Sequence, residues 1–300
     1  MHRMLLAALF AAVLTVGTAA QQSATSAQPQ ETAAPAKESV PDTPLAVVIE
    51  SLKRANNDLD VRRNYTYQER EVEKQLDGQG NVKKTDIHTY DVVMVGGKHR
   101  RKLIAKDDQP LSEKESEKEE ERMNKAEEKD TDRARKHDAA NDKEKEEERE
   151  RRIIKEFSEV YNFSFAGEEE IDGEPVWIVS AVPIGSYQPH SLEARLLKCM
   201  QGKIWITKRD YRWVKIDAEM ISDFNFGLFL AKLHKGMHIQ MEQTRINNEV
   251  WLPKFVRGNM DARIAWHTAR VDFETTFSNY KKFTANAKVT GVVATPNPPQ

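Results

Sequence analysis

The chain has 300 residues and a formal net charge of −2, with charged residues making up 31% of its length and crowded into one central segment. That balance argues against a nucleic-acid partner, which needs a basic face to neutralise phosphates. A lone cysteine, Cys199, excludes an intrachain disulfide and, being far from the N-terminus, a lipid-bearing N-terminal cysteine.

At the N-terminus, Arg3 precedes an apolar run from Leu5 to Val16, then small residues Gly17, Thr18, Ala19 and Ala20. This is the pattern of a cleavable export signal over residues 1–20. The run is shorter than the roughly 20 apolar residues that cross a bilayer, so the mature chain is expected to be a soluble periplasmic protein with no membrane span. Residues 21–43 are Gln, Ser, Thr, Ala and Pro with almost nothing to bury, and read as a disordered linker.

Folding is expected to begin at Pro44, with Leu45, Val48, Ile49, Leu52, Ala55 and Leu59 on one face of an amphipathic helix. Alternating segments Tyr65 to Val72, Thr85 to Val95 and His99 to Lys106 follow, with turn residues between them. From Leu111 to Arg152 acids and bases alternate with almost no apolar residue, so this stretch is expected to project into solvent, removable without unfolding the sheet. Only its continuation, with Ile153, Ile154, Phe157, Val160 and Tyr161, carries a stripe able to dock.

Strand signals resume at Asn162 and recur to Phe277, separated by turns placed at Asp172-Gly173, Lys208 to Asp210, Lys235-Gly236, Asn247-Asn248 and Gly258-Asn259. About eleven strands result, and their short connections imply antiparallel neighbours. The tail 284–300 ends in Pro296, Pro298 and Pro299 and should be loose.

No catalytic constellation emerges. The histidines at positions 88, 99, 190, 234, 238 and 267 lack metal-ligand spacing, and there is neither a phosphate-cradling glycine loop nor a nucleophile elbow. Neither a catalytic residue, a metal nor a cofactor is assigned. The β half instead carries large apolar side chains on both alternating faces of several strands, which either fill one core or line a cavity in a curved sheet. Candidates for such a lining are Trp177, Trp205, Met220, Phe229, Met241, Trp251 and Trp266, with the inward face left open because a one-residue shift reverses it.

The run Gly202-Lys203-Ile204-Trp205-Ile206-Thr207-Lys208, followed by Tyr211-Arg212-Trp213-Val214-Lys215-Ile216, resembles the outer-membrane lipoprotein-sorting (LolA/LolB-like) family. The resemblance spans about Thr43 to Phe283. It implies a mainly β fold: one domain over 44–283, an incomplete antiparallel β-barrel with an N-terminal helix and a charged helical insertion, 111–160, plugging or flanking the open side. Two functions follow from it. One is a non-catalytic carrier or chaperone for lipoproteins, acyl chains or another lipid-like ligand. The other is an interaction or sensor module with a filled core, whose protein partner is met by the charged helix.

Overall fold

The computed structural model describes residues 43–95, 98–134, 152, 155–226 and 231–283. The export signal, the linker before 43, the tail 284–300, much of the insertion and Phe229 lie outside the described residues.

Helix α1 (Pro44–Asn57) forms where Pro44 presets the first turn, and its apolar stripe sinks Val47 and Val48 into the protein. A short helix α2 (Leu59–Arg63) leads into β1 (Tyr65–Leu76), β2 (Val82–Val95), β3 (Lys98–Lys106) and the two-residue β4 (Gln109–Pro110). Helix α3 (Glu113–Ala134) starts at a capping box, in which Ser112 donates both its N–H and its hydroxyl to the Glu115 carboxylate. After a helical stretch over 155–160 come β5 (Tyr161–Ile171), β6 (Glu174–Pro183), helix α4 (Leu192–Lys198), β7 (Met200–Thr207) and β8 (Trp213–Met220). Short β9 (Phe224–Phe226) and β10 (Ala231–Leu233) precede β11 (His238–Ile246), β12 (Val250–Ile264) and β13 (His267–Lys282).

These thirteen strands form one antiparallel sheet in the order β4-β3-β2-β1-β13-β12-β11-β8-β7-β6-β5, with β10 attached to β12 and β9 to β10. Among the described residues the two ends of that order do not meet, so the barrel is incomplete. The extra strands over the expected eleven are β4 and the division of the expected segment Phe226 to His234 into β9 and β10. Helix α4, capped by Ser191, whose hydroxyl accepts from the Ala194 N–H, is too short to announce itself by periodicity.

The expected turn at Gly258-Asn259 is corrected. Strand β12 runs straight through it, and the reversal falls at Ala265-Trp266, between the paired Ile264 and His267. Gly258 serves close approach instead, since a Cβ there would lie 2.2 Å from the His238 carbonyl oxygen. Gly202, the first residue of the lipoprotein-sorting-like run, has the same role: its Cβ would lie 2.4 Å from the Asp217 carbonyl oxygen and 2.8 Å from the Ala218 Cα.

The strand register sorts side chains into two faces. The face that meets α1, α2 and α4 holds most of the core: Val47, Val48, Val179 and Ile206 in one cluster, Met220, Phe224, Leu233 and Met260 in another, Tyr65, Val250 and Leu252 in a third. Between α1 and α2, Asp58 pairs with Arg212 at 2.8 Å, and Arg62 donates to the buried Gln243, fastening the helices to the β7–β8 turn and to β11.

Because the obstacle at Gly202 is backbone on the neighbouring strand, Gly202→Ala should lower stability by about 2 kcal/mol or more, an overpacking penalty. A stability loss below about 0.5 kcal/mol, taken from the denaturant midpoint and slope, would show that β7 and β8 can move apart.

Candidate interaction site

Six of the seven residues expected to line a cavity are described, and strand register divides them between the two faces of the sheet. Trp177 lies on the helix face, beside Val179 and Ile206, stacked on Tyr211 at 5.7 Å between ring centroids. Met220 belongs to the Phe224 and Leu233 cluster, and Met241 is buried between Ile216 and Val256 on that same face. Trp205 and Trp251 point the other way, into a cluster with Val176 and Val214. Both of their indole N–H groups are buried without an acceptor, and Lys215 sits 4.4 Å above the Trp205 ring. Trp266 is 85% exposed, at the tip of the β12–β13 turn. The division follows from register: Trp177 and Trp205 sit on adjacent strands offset by one residue, since Trp177 pairs with Ile206 and Trp205 with Ile178.

The described surface includes two open grooves of several hundred Å³. One, of about 360 Å³, is lined by Lys74, His238, Gln240, Arg257, Asp272 and Glu274 among others. The second, of about 410 Å³, lies beside α4 at Arg195, Lys198, Cys199 and Phe224. None of the six described tryptophan and methionine candidates lines either one. The first is a polar groove in which His238 and Gln240 both reach the Asp217 carboxylate, at 2.7 and 2.6 Å. Burial pushes that carboxyl up, but these hydrogen bonds outweigh it and hold Asp217 below the usual carboxylate range. Among the described residues no group of three or more His, Cys, Asp or Glu side chains could hold a metal.

Away from the helices, on strands β1 to β3, the same face is ionic rather than apolar. Arg101 of β3 reaches over β2 to Glu69, at 2.5 Å, and to Glu71, with its guanidinium 3.9 Å above the Tyr90 ring. The Glu69 side chain is only 13% exposed, and burial raises its carboxyl above the usual range against the pull of Arg101. A hydrophobicity scan misses this cluster because glutamates alternating with Arg70 and Val72 read as one solvated face and one mixed face.

The sheet ends differently at its two edges. Edge strand β5 pairs with β6 alone and exposes Phe165, Glu168, Glu169 and Glu170. At the other edge, β4 covers Ala105 and Lys106, and beyond it helix α3 takes over. The Leu103 N–H donates to the Glu119 carboxylate at 2.7 Å, and Arg122, held bidentately by Glu119, donates to the Arg101 carbonyl. Lys106 pairs with Glu115 and Lys102 with Glu120, while Met123 is buried beside them. The expectation that the insertion projects freely until residue 153 is therefore corrected: its first three turns dock, by backbone-directed ionic side chains that apolar periodicity does not register.

No protein-family model matches the chain, and no curated protein matches it. Among solved structures, the chain is similar to a LolA superfamily protein from Nitrosomonas europaea, 10% identical, covering 82% of this chain and 95% of that one at a TM-score of 0.26. A DUF1329 family protein from Desulfovibrio piger is 11% identical, covering 83% and 96% at 0.28. MucB in its complex with MucA, from Pseudomonas aeruginosa, is 8% identical, covering 80% and 99% at 0.22.

The docking of α3 should depend on pH, with a definite sign. The Arg122 hydrogen bonds, then the Leu103 N–H, hold the Glu119 carboxyl below its ordinary value near 4.5 against the effect of burial. A depressed carboxyl contributes its full stabilisation above the ordinary value and loses it as pH falls through the folded value. The Leu103 amide resonance should stay constant from neutral pH to about 5 and shift only below the ordinary carboxylate value. Glu119→Gln should abolish that shift; an amide that titrates identically in the variant would show that another carboxyl controls the contact.

Proposed function

We propose that this chain is an exported, non-catalytic interaction module of the periplasm, which binds a protein partner from outside its sheet rather than enclosing an acyl chain. The observation that carries the reading is the state of the helix face. Where α1, α2 and α4 cover it, side chains such as Val47, Val179, Ile206, Met220 and Leu233 pack at no more than 2% exposure. Where the helices stop, Glu69, Arg101 and Glu71 occupy it. Acyl-chain binding draws about 0.8 kcal/mol from each methylene taken out of water, and that gain needs a dry apolar void. A carrier would have to separate Trp177, Met220 and Met241 from their neighbours to make one. Export is supported by the run Leu5 to Val16 and the small residues after it.

Two measurements test this. Fatty acids of increasing length, titrated while tryptophan fluorescence is followed, should give no saturable change. Saturable quenching that strengthens with chain length and weakens in Met241→Gln would establish the carrier instead. Osmotic shock should release a chain shortened by about 20 residues; recovery of the full-length chain in the inner membrane would refute the assigned location.

A further inference from the structure

Strand β3 is the sheet's basic edge. Its described positions include His99, Arg100, Arg101, Lys102 and Lys106, and it pairs through its inner side with β2. On its outer side the Arg101 carbonyl and the Leu103 N–H point away from β2, as alternate residues of an edge strand do. A further strand would bond to these groups. They are instead satisfied by two side chains of α3: Arg122 donates to the carbonyl and Glu119 accepts from the N–H. Beyond them, β4 continues the edge in the ordinary way, through backbone. Helix α3 thus reproduces, with a carboxylate and a guanidinium, two backbone bonds of a missing strand.

The contact is built to be reversible. Its apolar part is Met123; the rest is ionic, and Lys102, Glu120, Lys106 and Glu115 each keep more than a third of the side chain in water. Exposed ion pairs of this kind contribute little each and weaken with salt. The first turns of α3 are rich in glutamate: residues 113, 115, 117, 119, 120 and 121. What β3 recognises, judged by what it already holds, is an acidic segment that offers hydrogen-bonding groups along an edge.

We propose that the outer edge of β3 is a docking site for an acidic, extended segment of a protein partner, which adds as a strand and displaces α3. Strand addition of this type takes affinity from main-chain bonds and specificity from alternate side chains. Partner carboxylates would meet Lys102, which Glu120 releases when α3 leaves. In the free protein α3 occupies the edge and blocks pairing with stray strands, and the observed affinity is reduced by the fraction of time the edge is covered. The proposal rests on the reading of the chain as an interaction module, and it names the surface and the chemistry of the partner.

The test uses the purified protein and a fluorescein-labelled ten-residue peptide of alternating glutamate and threonine, followed by fluorescence polarisation. Replacing Glu119 and Arg122 together with alanine should tighten binding about tenfold, the gain expected when a competitor that covers the edge nine-tenths of the time is removed. The same peptide with lysine for glutamate should not bind, and N-methylation at alternate residues should abolish binding. In the unaltered protein, saturating peptide should shift the Leu103 amide and remove its dependence on Glu119. If circular dichroism shows the alanine pair to have lost its sheet, Glu119→Gln with Arg122→Gln serves the same comparison. Equal affinity with and without the α3 contacts overturns the proposal. So does undiminished binding of the N-methylated peptide, which would mean charge attraction alone. Larger species of the variant in light scattering without peptide would also overturn it, because the edge then accepts a second copy of this chain. None of these failures bears on the filled interior, which the fatty-acid titration tests separately.

Discussion

An antiparallel sheet that does not close leaves two rows of backbone N–H and C=O groups without strand partners, and the arrangement of this molecule depends on how each row is treated. Among the described residues no strand pairs with the outer edge of β5, which exposes Glu168, Glu169 and Glu170. At β3 it is covered first by the short β4 and then by the side chains of α3. The long charged insertion therefore begins as a structural element, tied to the end of the sheet that lies farthest from α1.

Both faces of the sheet are also accounted for, by different means. Helices α1, α2 and α4 cover one face over β5 to β8 and β11 to β13, and there apolar packing dominates. Farther along β1 to β3 the same face is occupied by Arg101 between two glutamates. Such a buried ionic group is costly to leave unpaired, which sets its register firmly even where it adds little net stability. The opposite face carries its own cluster around Trp205 and Trp251. A surplus of aromatic residues on strands thus has two sinks, one on each face, and need not enclose a void.

The legible part of the site and the illegible part differ in kind. The apolar character of Trp177, Trp205, Met220, Met241 and Trp251 was readable, and all are at least partly buried. Their division between two faces was not, because face assignment depends on register, and bulges at Trp205/Ile206 and at Glu242/Gln243 shift it within strands. Trp266 reads as core by composition and stands in solvent because the reversal falls at Ala265 rather than at Gly258. Glu119 and Arg122 could have been suspected only from their spacing of three inside the acidic run, a pattern that ordinary solvated helices share.

Local chemistry in the sequence determined the strand-rich meander, the amphipathic α1, the antiparallel order of neighbours and the polarity of the insertion, since periodicity and turn residues act over a few positions. Only the tertiary structure decided which glycines mark turns and which mark close approach. It likewise decided which tryptophans share a face, and what lies against the outer edge of β3. Those outcomes rest on contacts between residues far apart in the chain, such as Gly202 with Asp217, Arg101 with Glu69 and Leu103 with Glu119. They are set by register and by the geometry of the sheet's ends, which no window of sequence contains.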